Sequence, residues 1–191
     1  HLLYLVKWVL VWYNGGKEAV FMSICVIRPM APGDLEEFGA GFLEQGWTPR
    51  PEIWNKYLRE QASGARQVFV AEWEGHAAGY LTLVPEAQAG PFAHKGWPEI
   101  VDFNVLEKYQ RHGIGAALMD AAEQAAARIS PAVTLGVGLH SGYGAAQRMY
   151  VKRGYIPDGS GVWYQDKPAK PYGPCVNDDD LVLYLSKTLS R

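Results

Sequence analysis

The 191-residue chain contains 48% apolar residues, with 18 basic and 20 acidic side chains and a formal net charge of −2. This size suits one domain with a substantial core, and the near balance of charge argues against a general nucleic-acid-binding protein. The two cysteines, Cys25 and Cys175, form no Cys-x-x-Cys pair, and the five histidines have no metal-ligand spacing. We therefore expect thiols in a reducing cytoplasm and no metal cofactor.

The first 21 residues differ in character from the rest of the chain. An apolar run interrupted by Lys7 continues to Tyr13 and ends at Asn14-Gly15-Gly16. It is shorter than the roughly 20 residues that cross a bilayer, and it lacks the basic start and cleavage site of a signal peptide. We interpret residues 1–21 as an apolar N-terminal extension or an upstream artefact that packs on an apolar surface, with a membrane or dimer anchor as the alternative. The domain itself is assigned to residues 22–191.

The domain begins with a predicted strand and two predicted helices. Residues 23–28 favour a strand. Asp34 stands three residues before Glu37, as in a capping box, so we expect Asp34 to be the N-cap of a helix that ends at Gly46. After a proline-containing connector, a second helix is predicted to turn four large residues inward: Ile53, Trp54, Tyr57 and Leu58.

The remainder alternates between strands and helices, which predicts a mixed α/β fold with a central sheet. Two β-rich runs flank Glu74-Gly75, which is a hairpin signal. A loop at 85–98 and a strand at 100–105 come next, followed by a helix whose apolar stripe is Ile114, Ala117, Leu118, Ala121, Ala122, Ala125 and Ile129. The later predicted elements are a strand at 133–138, a helix at about 143–153 ended by Gly154, strand pieces at 155–156 and 162–164, a loop at 165–180 and a strand at 181–185.

The segment from Gln110 to Gly115 joins the apolar strand to the helix that follows it. The first N–H groups of that helix lack intrahelical partners and lie at the positive end of its dipole, and Gly113 and Gly115 let a phosphate approach the backbone. A Walker loop needs Lys-Ser/Thr where Ala116-Ala117 stands, and the dinucleotide fingerprint needs a third glycine at Leu118. The segment therefore predicts another type of anion site, with a purely structural turn as the alternative.

Three segments together resemble the GNAT superfamily of acetyl-CoA-dependent N-acetyltransferases. The segment Gln110–Gly115 is similar to the family's Q/R-x-x-G-x-G/A loop, and residues 99–105 resemble its fourth strand. Ala146, Tyr150 and Gly154-Tyr155 resemble its A…Y…GF/Y helix and strand, and the order and spacing agree over about residues 23–189. The resemblance implies a single α/β (α+β) domain whose central sheet is mixed, mostly antiparallel, splayed between the fourth and fifth strands, and flanked by about four helices.

The resemblance also implies how acetyl-CoA, the acetyl donor, is bound. In the family the pantetheine arm lies in the gap between the fourth and fifth strands, and the diphosphate is held by the N–H groups of the loop. The family often carries asparagine where Tyr143 stands, so the amide contact to the arm is in doubt and Ser141 or His140 is a substitute. The implied coenzyme-binding residues are Phe103, Asn104, Val105, Gln110, Arg111, His112, Gly113, Ile114, Gly115, Ala116, Ser141, Tyr143 and Ala146.

The resemblance assigns catalysis to Tyr150 and to an acidic residue on the central strand. A phenol with a pKa near 10 is protonated at neutral pH, so Tyr150 can give a proton to the leaving thiolate; the alternative is a core aromatic. Glu99 and Asp102 are the candidate bases, with a water relay as a third option. Because they are three residues apart, they face the same substrate only if the strand is bulged. Asp102 has a further alternative as a buried structural acid.

The acceptor pocket implied by the resemblance contains aromatic and acidic residues, which suit a cationic amine. Its members are Trp47, Tyr57, Trp163, Tyr164 and residues 177–180, although an acidic loop can also be merely solvated. The leading interpretation is a cytoplasmic N-acetyltransferase, monomeric or homodimeric, that transfers acetyl directly to an amine of a small molecule or protein. It needs neither nucleic acid nor membrane as a partner. The alternative is a catalytically silent acyl-CoA-binding sensor or scaffold.

Overall fold

A computed structural model describes residues 5–9 and 23–189, and the side chains from residue 25 onward. The strands are β1 Leu5–Val9, β2 Ser23–Pro29, β3 Gln67–Trp73, β4 His76–Val84, β5 Glu99–Val105, β6 Ala132–Gly138, β7 Ile156–Tyr164, β8 Lys167–Pro168 and β9 Leu181–Thr188. The α-helices of the described residues are α1 Asp34–Glu44, α2 Pro51–Ser63, α3 Ile114–Ala127 and α4 Gly144–Lys152. Short 3₁₀ turns occupy Gly90–Phe92, Glu107–Tyr109 and Ser141–Tyr143.

The strands described form a mixed sheet in the hydrogen-bonded order β1-β2-β3-β4-β5-β6-β9-β7-β8. β5 and β6 are parallel, whereas β1–β2, β2–β3, β6–β9, β7–β9 and β7–β8 are antiparallel. Because β1 precedes the predicted strands, the family's fourth and fifth strands are β5 and β6. In the described chain their register comprises Glu99↔Thr134 and Ile100↔Leu135, while β5 continues to Val105. The predicted fold class, a mixed and mostly antiparallel sheet with flanking helices, is confirmed.

The chain divides into two compact units. Within the described residues, the first contains 5–9, 23–82 and 102–122, and its core is built from aromatic side chains of α1, α2 and β4. Phe38 contacts Tyr80 with 5.0 Å between ring centroids, and Phe42 contacts Trp54 at 5.1 Å. The inward face predicted for α2 is confirmed by the burial of Trp54 and Tyr57.

The second unit contains residues 83–101 and 123–189 of the described chain. One of its clusters consists of Ala87, Phe92 and Tyr184, with Trp97, Trp163 and Val182 packed against them. A second feature is an ion network, in which Glu123 accepts from Arg153 Nε at 2.8 Å and from Lys187 Nζ at 2.6 Å. This network ties the end of α3 to β9 and to the end of α4.

Three predicted details are wrong. Asp34 is not an N-cap: α1 starts at Asp34 after Gly33, and the Asp34 carboxylate pairs with both terminal nitrogens of Arg28, at 2.7 and 2.8 Å. The cation is a stronger partner than the helix N–H groups. The two strand pieces after Gly154 are one strand, β7, with a register shift between Pro157 and Val162. Ile129 lies beyond the end of α3 and is 56% exposed.

The interpretation of residues 1–21 stays a prediction. Leu5–Val9 pairs with β2 as an antiparallel strand, while residues 1–4 and 10–22 lie outside the described residues. A search of the described chain found no helix with both the length and the apolar character needed to span a membrane.

Candidate active site

The loop before α3 ends in a helix N-terminus that is open to an anion. Gly113 O accepts from Ala117 N at 3.0 Å and is therefore the first acceptor of the helix. The N–H groups of Ile114, Gly115 and Ala116 consequently precede the first intrahelical donor. Gly113 has φ +79°, and a Cβ built there meets nothing within 4 Å. The geometry leaves the approach to these donors clear, as the anion prediction requires.

Two side-chain contacts hold this loop in place. The ring of His112 lies against Trp73 of β3, and its Nδ1 is 3.3 Å from Tyr109 O. The side-chain amide of Gln110 donates to Val105 O at 3.1 Å, so that carbonyl already has a donor. A carbonyl oxygen has two lone pairs, so the Val105 oxygen can accept a second donor, and the placing of the pantetheine arm along Phe103, Asn104 and Val105 stays a prediction. Arg111 and His112 are both exposed.

Tyr150 is held on the buried face of α4. Its side chain is 5% exposed and its ring lies 5.8 Å from that of Tyr155. Burial raises the pKa of the Tyr150 phenol, and the nearby Tyr143 raises it further. The hydroxyl is therefore protonated at neutral pH and is suited to donate a proton rather than to accept one.

The two candidate bases have different surroundings. Glu99 is half-buried at the start of β5. The pKa of Tyr184 is raised to about 12, first by the burial of that phenol and second by the negative charge of Glu99. Asp102 lies in the other unit and has φ +52°, a left-handed conformation that is uncommon outside glycine. Whether Glu99 and Asp102 face the same substrate stays a prediction.

Among the described residues, four side chains donate to the carboxylate of Asp102. Arg50 Nη2 contacts its two oxygens at 2.8 and 3.0 Å, and Tyr57 donates to Oδ2 at 2.9 Å. Tyr80 donates to Oδ2 at 3.2 Å and Asn104 to Oδ1 at 2.7 Å. A carboxylate has about four lone-pair sites, so this one is saturated. The arrangement is that of a structural acid held by side chains, and the Asp102 side chain is 13% exposed.

Tyr143 stands where the family often carries asparagine, and the residues around it form a cluster with the acidic loop at 177–180. Tyr143 donates from its hydroxyl to Asp179 Oδ1 at 2.8 Å, and its ring lies 4.5 Å from that of His140. His140 Nδ1 accepts from Gly142 N, which leaves Nε2 to contact Asp179 Oδ1 at 3.1 Å. Ser141 is exposed and Ala146 is half-buried. Tyr143 and His140 therefore hold the loop that carries Asp179.

Some of the residues predicted to form the acceptor pocket belong to the first unit and the others to the second. In the first, Trp47 packs on Phe42 at 5.3 Å and is 42% exposed, while Tyr57 is committed to Asp102. In the second, Trp163 donates to Ser160 Oγ and packs on Tyr184. Tyr164 is half-buried; Asn177, Asp179 and Asp180 are exposed, whereas Asp178 accepts from Asp180 N at 3.1 Å.

A protein-family model described as the acetyltransferase (GNAT) family matches residues 35–155. This stretch covers more than half of the chain and includes the loop before α3 and Tyr150. The chain belongs to the GNAT family of acetyltransferases. The enzyme class expected from the sequence is confirmed at the level of the family, whereas the acceptor is not identified by the match.

Solved structures share the fold of this GNAT acetyltransferase. The ribosomal-protein-alanine N-acetyltransferase of Brucella melitensis is 21% identical, with 85% of this chain and 99% of that chain covered and a TM-score of 0.62. Ard1 of Thermoplasma volcanium is 18% identical, with 87% and 99% covered and a TM-score of 0.63. YncA of Salmonella typhimurium, solved with acetyl-CoA, is 18% identical, with 87% and 94% covered and a TM-score of 0.59. A comparison with curated protein sequences found no match.

Sequence reasoning missed two partners of Asp102 in this GNAT domain, Arg50 and Tyr80. Arg50 was expected only as part of a connector, and Tyr80 only as part of a strand. They are 52 and 22 residues away from Asp102 in the chain. The one local signal is Asn104, whose amide is close enough to bond the acid two positions before it.

Proposed function

We propose that the protein is an acetyl-CoA-dependent N-acetyltransferase that transfers the acetyl group directly to an amine of a small molecule or a protein. The observation that carries this proposal is the family match over residues 35–155, which contains a loop with an open helix N-terminus. The solved relative that contains acetyl-CoA has the same fold. We place the reaction in the cytoplasm, in keeping with Cys25 and Cys175 both being thiols.

The loop before α3 binds the diphosphate of the donor. Each hydrogen bond to a charged group contributes about 1.5–3 kcal/mol, and the helix dipole adds about 0.3–1 kcal/mol, so several amides outweigh the dipole. Arg111 and His112 are exposed next to these amides, and the Arg111 guanidinium adds positive charge. The remaining binding residues are those named from the resemblance, with the pantetheine arm along Phe103 and Asn104.

The chemical step balances one bond formed against one broken. The amine nitrogen attacks the thioester carbonyl carbon, and a C–N bond forms as the C–S bond breaks. The leaving thiolate takes the proton of the Tyr150 hydroxyl, which burial keeps protonated. General acid catalysis of this kind contributes about 10²–10⁴-fold to the rate.

The amine must lose a proton for the same step. For a lysine-like amine at neutral pH, freeing the lone pair costs about 4.6 kcal/mol. Glu99 is our preferred acceptor of this proton, directly or through water, because it is half-buried and next to Tyr184. Asp102 is a poor candidate since its oxygens are occupied by four side-chain donors.

The experiment is a measurement of thiol release from acetyl-CoA with a library of small amines and of peptides with free N-termini. Peptides are included because two solved structures with the same fold are named for acetylation of ribosomal proteins. Turnover with at least one amine supports the proposal. Tight coenzyme binding with no turnover on any amine instead favours the sensor or scaffold.

A further inference from the structure

We propose that Arg50 and Asp102 act as positioning residues that fix the backbone of β5 for the coenzyme, and that Asp102 is not the catalytic base. This inference rests on the proposed function, since Phe103 and Asn104 follow Asp102 directly and carry the expected contacts to the pantetheine arm. The pair joins the connector before α2 to the strand. We call Asp102, Arg50, Tyr57, Tyr80 and Asn104 the Asp102 cluster.

Asp102 has an unusual backbone conformation. Its φ of +52° lies in the left-handed region, which is uncommon outside glycine although aspartate adopts it more readily than most residues. Contacts with the surroundings restrain the backbone in this one conformation. The two contacts from Arg50 and the bonds from Tyr57 and Tyr80 supply that restraint, and they come from elements distant in sequence.

The Asp102 cluster holds the residues after Asp102 as well. Asn104 donates to Asp102 at 2.7 Å and to the Tyr80 hydroxyl at 3.2 Å. Leu106 N donates to Ala78 O at 2.9 Å, which fixes the end of the strand. A short stretch of β5 is thus restrained at both ends by side chains and backbone of its own unit.

Charge also couples Asp102 to Arg50. The Asp102 side chain is 13% exposed and that of Arg50 33% exposed, so both ions are partly desolvated and each needs the other. The Arg50 guanidinium also lies over the Phe42 ring, 5.8 Å from its centroid. Loss of either partner leaves a partly buried charge and releases the strand, whereas the candidate acid and base, Tyr150 and Glu99, belong to the other unit.

The test measures the dissociation constant of coenzyme A by calorimetry for Asp102→Asn, Arg50→Gln and the double variant. Asparagine tolerates a left-handed φ and keeps one acceptor. We expect each single variant to bind coenzyme A about tenfold more weakly than wild type. The double variant is expected to bind no more weakly than whichever single variant has the lower affinity, because both substitutions remove the same interaction. At saturating coenzyme, kcat is expected to stay within about threefold of wild type and its pH profile to keep its shape. Arg50→Lys, which keeps the charge, is expected to recover part of the affinity.

The matched control is Asp34→Asn, which removes a buried carboxylate from its ion pair with Arg28 in the same unit. Equal weakening of coenzyme binding by Asp34→Asn, at equal loss of thermal stability, overturns the inference, because the effect is then general destabilisation. Unchanged affinity in the Asp102 and Arg50 variants also overturns it, as does a large fall in kcat with affinity intact. If every cluster variant fails to fold, the role is structural only and the inference is rejected. A wild-type protein that does not bind coenzyme A contradicts the proposed function itself.

Discussion

The imidazole of His112 lies against the indole of Trp73, with 5.2 Å between the ring centroids and 51° between the ring planes. Trp73 is 6% exposed in β3, so the contact fastens an exposed loop to the interior of the first unit. The loop is therefore held before any anion arrives, which lowers the cost of ordering it on binding. Three consecutive N–H groups at the start of α3 follow this anchored residue.

Substitution of Gly113 tests whether these groups hold the diphosphate. Any side chain at φ +79° is strained, so the matched pair is Gly113→Asn and Gly113→Asp, which are similar in shape and in tolerance of a left-handed φ. We expect the aspartate variant to bind coenzyme A at least about tenfold more weakly than the asparagine variant, because its charge repels phosphate. Calorimetry measures both affinities. Equal affinities exclude a diphosphate at this position.

Removal of the Tyr150 hydroxyl tests the general acid. Tyr150→Phe is expected to lower kcat about 10²–10⁴-fold while the affinity for coenzyme A is kept, because only the proton donor is lost. Tyr155→Phe is the control, since it removes a phenol from an adjoining buried ring. Steady-state thiol release gives both values. A Tyr150→Phe enzyme as active as wild type removes the residue from the mechanism.

The close approach of β4 to the end of β5 depends on Gly79. A Cβ at Gly79 would lie 2.6 Å from Asn104 O and 3.0 Å from Val105 Cα, which are backbone atoms that cannot rotate away. We expect Gly79→Ala to lower the free energy of unfolding by about 1–3 kcal/mol. Gly39→Ala is the control, because nothing lies within 4 Å of its Cβ and it is within α1. That variant is expected to be neutral or more stable by about 0.5–1 kcal/mol. Equal stability of the two alanine variants in urea contradicts the packing described.

The Glu123 network makes stability depend on pH. Burial alone would raise the pKa of Glu123, but hydrogen bonds and charge from Arg153 and Lys187 outweigh burial and lower it below the usual 4.5. The stabilisation is therefore complete at neutral pH and is lost as the pH falls through the folded-state pKa. Glu123→Gln is expected to cost about 2 kcal/mol at pH 7 and progressively less in acid.

Urea unfolding at several pH values measures this dependence. Glu44→Gln serves as the control, because the Glu44–Lys108 pair is exposed on both sides and is expected to contribute little. If Glu123→Gln costs the same at acid and neutral pH, the ionised carboxylate is not what holds Arg153 and Lys187 together.

Local sequence pattern was sufficient for most of the described helices and strands, including the helix that follows Gly113. The hairpin at Glu74-Gly75 follows from two adjacent residues, both of which have positive φ in the structure. The helix after Gly113 is predicted by the spacing of its apolar residues. The glycine before it suits a phosphate site because it lets a phosphate approach the backbone closely. These features depend on neighbours within a few residues, which a single sequence displays directly.

The features that failed depend on tertiary contacts that residue spacing does not reveal. The Asp34 cap failed because Arg28, on the preceding strand, competes successfully for the carboxylate. The saturation of Asp102 needs Arg50 and Tyr57, 52 and 45 residues away. Nothing in local spacing indicates such contacts, because they arise only when the helices pack on the sheet.

Direct transfer of acetyl from acetyl-CoA to an amine is best tested by following an isotopically labelled acetyl group. Wild-type enzyme is incubated with labelled acetyl-CoA, with and without an amine that supports thiol release, and both protein and amine are examined by mass spectrometry. Direct acetyl transfer predicts label on the amine in proportion to the thiol released, and no labelled protein when the amine is omitted. A labelled enzyme that later passes its acetyl group to the amine, or thiol release without any labelled amine, would contradict direct acetyl transfer.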